Sequence, residues 1–163
     1  MNRPAPTKAR TEIASIIGES VAEAIGLKES LEVERAALEQ QDTDALDAVV
    51  VSKTEHAGKL QALDDKRSAL CQEWGFAIGP GQMDDLIGWC DEDAVISKGW
   101  EELMRLAAEG NALNLTNGAI IRLRHQHFET SLSLLRGVTP GSDTYGRNGE
   151  ESGDSSRRSL AEA

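Results

Sequence analysis

The stretch NLTNGAIIRLRHQHFETSLSLLRGVTPGSDTYGRNG, residues 114–149, decides the fold because it joins an amphipathic helix to a polar, glycine-rich tail. Apolar side chains recur every three to four residues in its first part, which predicts a helix with one apolar face. The residues of that face, which begins one residue before the quoted stretch, are Leu113, Ile120, Ile121, Phe128, Leu134 and Leu135. From Val138 onwards Pro, Gly, Ser, Asp and Glu dominate, so we expect a disordered, flexible tail over residues 138–163.

The Asn117-Gly118 pair inside this helix has two interpretations. Asn-Gly is a strong turn dipeptide, and taken alone it would split the helix. The apolar period nevertheless continues across the pair in register, from Leu113 to Ile120, which favours one continuous helix. In a continuous helix, we expect Gly118 to let another helix approach closely.

The composition of the whole chain favours helices. Aromatic residues make up 4% of the 163 residues, which is few for a β-sheet protein. Residues with high helix propensity, such as Ala, Leu, Glu and Lys, are abundant. The hydrophobic content of 39% suits an elongated bundle with a modest core. The net charge of −11 repels phosphate backbones and therefore argues against nucleic acid as a partner.

The apolar spacing predicts an all-α fold, an elongated antiparallel helical bundle with coiled-coil-like seams over residues 1–137. Long helices are expected at about residues 7–41, 44–74 and 93–136, with a short helix near residues 82–90. Thr7 is a candidate N-cap of the first helix, and Asp42, Thr43 and Asp44 are candidates for the second. Glu34 interrupts the seam of the first helix, and Lys53 falls on the apolar stripe of the second.

The tryptophans Trp74, Trp89 and Trp100 all lie in the middle third of the chain. One interpretation is that they close one end of the bundle, where glycine-rich turns leave space. The other is that they line a docking pocket. The first is the more common role of such amphipathic aromatics.

The chain begins without an apolar signal segment and contains no run of membrane-spanning length, so we expect a cytoplasmic protein without stable membrane insertion. Cys71 and Cys90 are its two cysteines. A bridge between them is geometrically possible, but two cysteines in an unsecreted chain are usually reduced thiols.

No constellation of residues predicts catalysis, a metal or a cofactor. His125 and His127 point about 200° apart on a helix, whereas zinc ligands on one helix require spacings of three or four. The acidic residues between Asp84 and Asp93 fit helix caps better than a catalytic pair, since no nucleophile or base accompanies them. No phosphate-binding, dinucleotide or nucleophile-elbow motif occurs. The sequence therefore argues against an enzyme, and a helical enzyme remains only a remote alternative.

Tyr145 is the only tyrosine and lies in the polar tail, where no other large apolar side chain could build a core around it. It is either a chance surface residue or a docking anchor. One aromatic side chain entering a partner's pocket can supply several kcal/mol, and the cost of ordering the tail would keep such binding weak and reversible.

Together these residues resemble the FlgN-type flagellar export chaperones. The helix motif is Asn117, Gly118, Ile120 and Ile121, closed by Leu134, Leu135 and Gly137, and the tail motif is Tyr145, Gly146 and Gly149. The first hairpin adds the pattern Leu31, Glu34, Ala37 and Leu38, followed by Asp42 or Asp44, Leu46, Lys53 and Arg67. Residues 75–100 depart from the family pattern.

The resemblance implies a cytoplasmic chaperone of type III flagellar export. Such a protein binds the hook–filament junction proteins, prevents their premature assembly and delivers them to the export gate. The residues implied in junction-protein binding are Ile120, Ile121, Phe128, Leu132 and Leu135, and Tyr145 would dock at the gate. The alternative is a structural, self-associating scaffold whose apolar stripe is buried in a homodimer.

Overall fold

The computed structural model describes residues 5–136 of the chain. Within this range there are four helices and no strand, so the prediction of an all-α fold is confirmed. The helices are α1 (Pro6–Gln40), α2 (Thr43–Glu73), α3 (Gln82–Cys90) and α4 (Val95–Leu135). None of them is long and apolar enough to cross a membrane. The chain divides into two compact units, one ending at Arg124 and the other beginning at His125.

Helix α1 begins one residue before the predicted N-cap Thr7. Pro6 occupies the first turn and Ala5 is the N-cap, in an extended conformation. The prediction of Thr7 as the N-cap is therefore wrong, and proline fits the first turn of a helix. Its missing N–H would have no partner inside the helix there, and its fixed φ already suits helical geometry.

Helices α1 and α2 form an antiparallel hairpin. Gln41 adopts a left-handed conformation with φ 61° and ends α1. Of the three predicted caps for α2, Asp42 takes the role, and its side chain accepts a hydrogen bond from the Ala45 N–H at 3.0 Å. Two further contacts join the helices side by side: the hydroxyls of Ser30 and Ser52 lie 2.9 Å apart, and Glu23 Oε2 lies 2.7 Å from His56 Nδ1.

Helix α4 runs parallel to α1 within the first unit, because their contacts advance together along both helices. Arg10 pairs with Asp93 near the start of both helices at 2.5 Å. Further along, Lys28 Nζ lies 2.9 Å from Glu109 Oε2. This hydrogen bond, with a second from Arg105, holds the pKa of the Glu109 carboxyl below its ordinary value. Within the first unit, the three long helices α1, α2 and α4 therefore have an up-down-up arrangement.

Asp91 fixes the start of α4. Its carboxylate accepts hydrogen bonds from the backbone N–H groups of Val95, Ile96 and Ser97 at 2.9, 3.0 and 2.8 Å. The first N–H groups of a helix have no partner inside it, so a side-chain acceptor here stabilises the helix end. The interpretation of the central acidic residues as caps is thus confirmed for Asp91.

A hydrophobic core lies where α3 joins the hairpin and the start of α4. Its members are all buried: Ala9, Ile13, Ile17, Cys71, Trp74, Phe76, Met83, Leu86, Cys90 and Ile96. Trp89 packs against this cluster with its ring centroid 5.6 Å from that of Phe76. Trp100 also packs against it and carries the Arg67 guanidinium 5.2 Å from its ring centroid. These contacts support the interpretation that the tryptophans close one end of the bundle. Cys71 and Cys90 are both free thiols.

Candidate partner-binding surface

In the first unit, Asn117 is the last buried residue of α4. Ile96, Leu106 and Asn117 are its only buried residues in the described part of the chain, and none follows Asn117. Ile120, from the predicted binding set, is half-buried, and Ile121 is 49% exposed. Leu123, which was not in that set, is 56% exposed. This part of α4 therefore presents aliphatic side chains to solvent.

In the second unit, all residues from His125 to Ser131 are exposed. Phe128 is 61% exposed and Leu135 is 83% exposed, whereas Leu132 is half-buried. Leu134, which the sequence placed on the apolar face, is also largely exposed. An exposed phenylalanine near exposed leucines on one helical segment is typical of a surface that a partner covers.

A cluster of buried polar side chains, called here the junction, connects the three long helices at Asn117, the last buried residue of α4. The Asn117 amide is 1% exposed and donates hydrogen bonds to the Leu31 carbonyl at 2.9 Å and to Glu34 Oε2 at 2.8 Å. The other oxygen of Glu34 accepts a hydrogen bond from Lys53 Nζ at 2.6 Å. Polar side chains from α4, α1 and α2 thus meet at a single point. Buried polar groups of this kind fix the register of packed helices because displacement would leave them unpaired.

Sequence reasoning missed this junction although it noted each of its members. Glu34 stood out as an acid in an apolar seam, and Lys53 as a base on the facing stripe. An acid and a base at facing seam positions of a predicted hairpin are the signal that could have identified the pair. Asn117 was noted only as part of the Asn-Gly dipeptide and of a family motif, and nothing local indicated its partners.

The Asn117-Gly118 pair does not break α4, which confirms the continuous helix. The expectation that Gly118 admits another helix is wrong. A Cβ added there would meet only the Arg122 guanidinium of the same helix, at 3.4 Å. The close approach to α1 occurs instead at Gly99, where an added Cβ would lie 2.7 Å from Ile17 Cγ2.

The described residues include no group of three His, Cys, Asp or Glu side chains that could hold a metal ion. His125 Nε2 lies 4.0 Å from Glu129 Oε1, one turn away on the same helix, and both side chains are exposed. Tyr145, Gly137, the Tyr-Gly-x-x-Gly motif and the predicted tail over residues 138–163 lie outside the described residues.

The described part of the chain is thus an all-α protein with exposed apolar side chains along its last helix. The family model described as FlgN protein matches residues 13–153, which is most of the chain, and the chain belongs to this family. The family is one of flagellar export chaperones. Comparisons with curated proteins and with solved structures found no match.

Proposed function

We propose that this chain is a cytoplasmic chaperone that binds flagellar hook–filament junction proteins, prevents their premature assembly and delivers them to the export gate. The observation that carries the proposal is the exposure of apolar side chains along α4 after Asn117. Family membership supplies the general role, and the exposed side chains supply a surface on which a guest can bind.

The proposed guest-binding residues are Ile120, Ile121, Phe128, Leu132 and Leu135. Burying one large apolar side chain contributes about 1.5–3 kcal/mol, so a few such contacts can hold a guest helix. Much of this gain offsets the cost of ordering the guest and of association itself. The resulting affinity would be moderate, which suits a guest that must later be released.

The partner-binding role is tested by measuring how tightly a purified junction protein binds the full chain. We expect Phe128→Asp to weaken binding at least about tenfold, because the change puts a charge on the apolar contact surface. Thr130→Asp is the matched control, since Thr130 is also exposed but polar. Equal binding by the wild type and Phe128→Asp would contradict the proposal. A homodimer that Phe128→Asp dissociates, together with no junction-protein binding, would favour the scaffold alternative.

Gate docking is assigned to Tyr145 on the strength of the tail motif alone. We expect Tyr145→Ala to keep junction-protein binding and to weaken binding to the export gate, as measured by pull-down with each partner separately. Loss of both interactions, or of neither, would count against this division of roles.

A further inference from the structure

The part of α4 that follows Asn117 has the residue spacing of a coiled-coil helix. Positions separated alternately by four and three residues share one side of a helix, because the spacing averages about 3.5 residues per turn. Helix α4 is uninterrupted as far as Leu135, so the spacing holds along it. The positions concerned, called here the 121–135 stripe, are Ile121, His125, Phe128, Leu132 and Leu135. Four of the five are apolar, and Ile121, Phe128 and Leu135 are exposed, so the stripe is open to a partner helix.

The positions beside the 121–135 stripe are mainly basic. In a coiled coil, the residues that flank the apolar positions face the flanking residues of the partner helix and set the choice of partner. The flanking positions are Arg122, Arg124, Glu129, Ser131 and Arg136. Arg136 keeps the helical register, since its backbone N–H donates a hydrogen bond to the Leu132 carbonyl. Three arginines against one glutamate make this surface positive in a chain whose net charge is −11.

These arginines are not neutralised within residues 5–136. Arg122, Arg124 and Arg136 form no ion pair and no side-chain hydrogen bond with any other described residue, whereas Lys28 and Lys53 in the hairpin each hold a carboxylate. Arg122 and Arg136 are exposed, and Arg124 is half-buried. Their charges are therefore available to a partner, and no ion pair among the described residues has to break before they meet a partner's carboxylates.

The charges also argue against two other occupants of the 121–135 stripe. A helix that lies on an anionic lipid surface has a strongly basic polar face. The side of α4 opposite the stripe carries the uncharged residues Gln126, Thr130 and Ser133, and the net charge of −11 repels such a surface. A second copy of the chain presents the same excess of arginine over glutamate, so the net charge also opposes self-pairing along the stripe.

We propose that the 121–135 stripe selects an amphipathic helix whose apolar side chains are flanked by acidic ones, and that Arg122, Arg124 and Arg136 make this selection. The inference rests on the proposed function in one respect, namely that the acidic helix belongs to an exported guest. The apolar side chains hold the guest, and the arginines determine which helices are accepted. Exposed charges at the edge of an interface act mainly on the association rate and on the choice of partner.

The test uses the full chain and a fluorescently labelled synthetic peptide of about two heptads, with leucines at the apolar positions and glutamates beside them. Stopped-flow anisotropy measures its association rate at low salt. We expect the double variant Arg122→Gln, Arg124→Gln to associate at least about fivefold more slowly than the wild type. At about 1 M salt, which screens exposed charges, this difference should disappear. A peptide with lysines in place of the glutamates should bind the wild type more weakly.

The matched control is the double variant Lys66→Gln, Lys98→Gln. Lys66 and Lys98 are exposed and form no ion pair with any other described residue, and they lie outside the 121–135 stripe and its flanking positions. Their replacement removes the same charge from the chain, so the association rate should stay within about twofold of the wild type.

Equal association of the acidic peptide with the arginine and lysine variants at low salt would overturn the selection, as would equal binding of the two peptides or no binding to the wild type. Arginine-dependent binding to vesicles of anionic phospholipid, without binding of the acidic peptide, would overturn it in favour of a lipid surface. A wild-type dimer that Phe128→Asp dissociates, again without peptide binding, would overturn it in favour of a second copy.

A purified junction protein separates this inference from the proposed function. If it loses affinity for Phe128→Asp but associates equally with the arginine variant and the wild type at low salt, the selection is overturned and the proposed function stands. If the acidic peptide binds in an arginine-dependent manner but no junction protein binds the wild type, the selection stands and the proposed function is refuted.

Discussion

At the scale of single residues, Asn117 determines how α4 sits on the hairpin. Its buried side-chain amide donates hydrogen bonds to the Leu31 carbonyl and to the Glu34 carboxylate. Glu34 also forms an ion pair with Lys53. A shift of α4 by one residue would separate these groups and leave the Glu34 charge with one partner fewer. The junction therefore selects one register among several that apolar contacts alone would tolerate.

We expect Asn117→Ala to lower the free energy of unfolding by about 1–3 kcal/mol, because it removes two buried hydrogen bonds to Leu31 and Glu34. The exposed Asn114 provides the matched control, and Asn114→Ala should stay within about 0.5 kcal/mol of the wild type. Urea denaturation of both variants measures the difference. Equal midpoints would show that the junction contributes nothing to stability.

The sequence identified Asn117, Glu34 and Lys53 as unusual but did not predict that they meet. Asn117 and Glu34 are 83 residues apart, and the register that joins them depends on where α3 returns the chain. Gly118 was misjudged for the same reason, since the side of a helix that faces its neighbour follows from packing. The helix caps were more predictable because Asp42 and Asp91 act on N–H groups within a few residues of themselves.

At the scale of elements, α4 is firmly held at its start and exposed towards its end. Partial burial acts to raise the pKa of Asp91, but the N–H groups of Ser97, Ile96 and Val95 outweigh it, and the pKa lies below its ordinary value of 3.8. The ionised carboxylate is thus the form that stabilises the helix start. Apolar periodicity predicted α4 well, whereas the exposure of its later part required the structure, because Ile96 and Ile121 look alike in sequence.

We expect Asp91→Ala to cost about 1 kcal/mol of stability at neutral pH through loss of the cap. Because the folded pKa is lowered, this contribution is complete above pH 3.8 and disappears as the pH falls through the folded value. The stability gap between wild type and variant should therefore narrow under acid conditions, as measured by thermal unfolding across a pH series. A gap that widens on acidification would contradict the capping role.

At the scale of the whole molecule, the main core gathers α3, the hairpin and the start of α4 around Trp74 and Leu86. The sequence located the tryptophans but could not identify their neighbours, since the glycine-rich turn after α2 sets the path of α3. Both cysteines lie in this core, and burial raises the pKa of the Cys71 and Cys90 thiols. Their reactivity therefore reports on opening of the core.

We expect an aromatic disulfide reagent at pH 8 to modify Cys71 and Cys90 in the native protein at less than about one-tenth of the rate of free glutathione, because the reactive thiolate is both scarce and shielded. In urea, both thiols should react rapidly, and the native rate should follow the free energy of unfolding. Rapid modification of both thiols without denaturant would show that this core opens readily.

The parallel pairing of α1 with α4 has a consequence for how the chain is made. Contacts within the hairpin are local, as between Glu34 and Lys53, whereas Arg10 and Asp93 are 83 residues apart. Short loops close at lower entropic cost, so we expect the hairpin to form early and α4 to dock last. During synthesis on the ribosome, the leucine side chains on one side of the hairpin remain exposed to solvent until α4 has been synthesised. A member of a chaperone family thus passes through a stage of its own synthesis in which its exposed apolar surface makes it prone to aggregation.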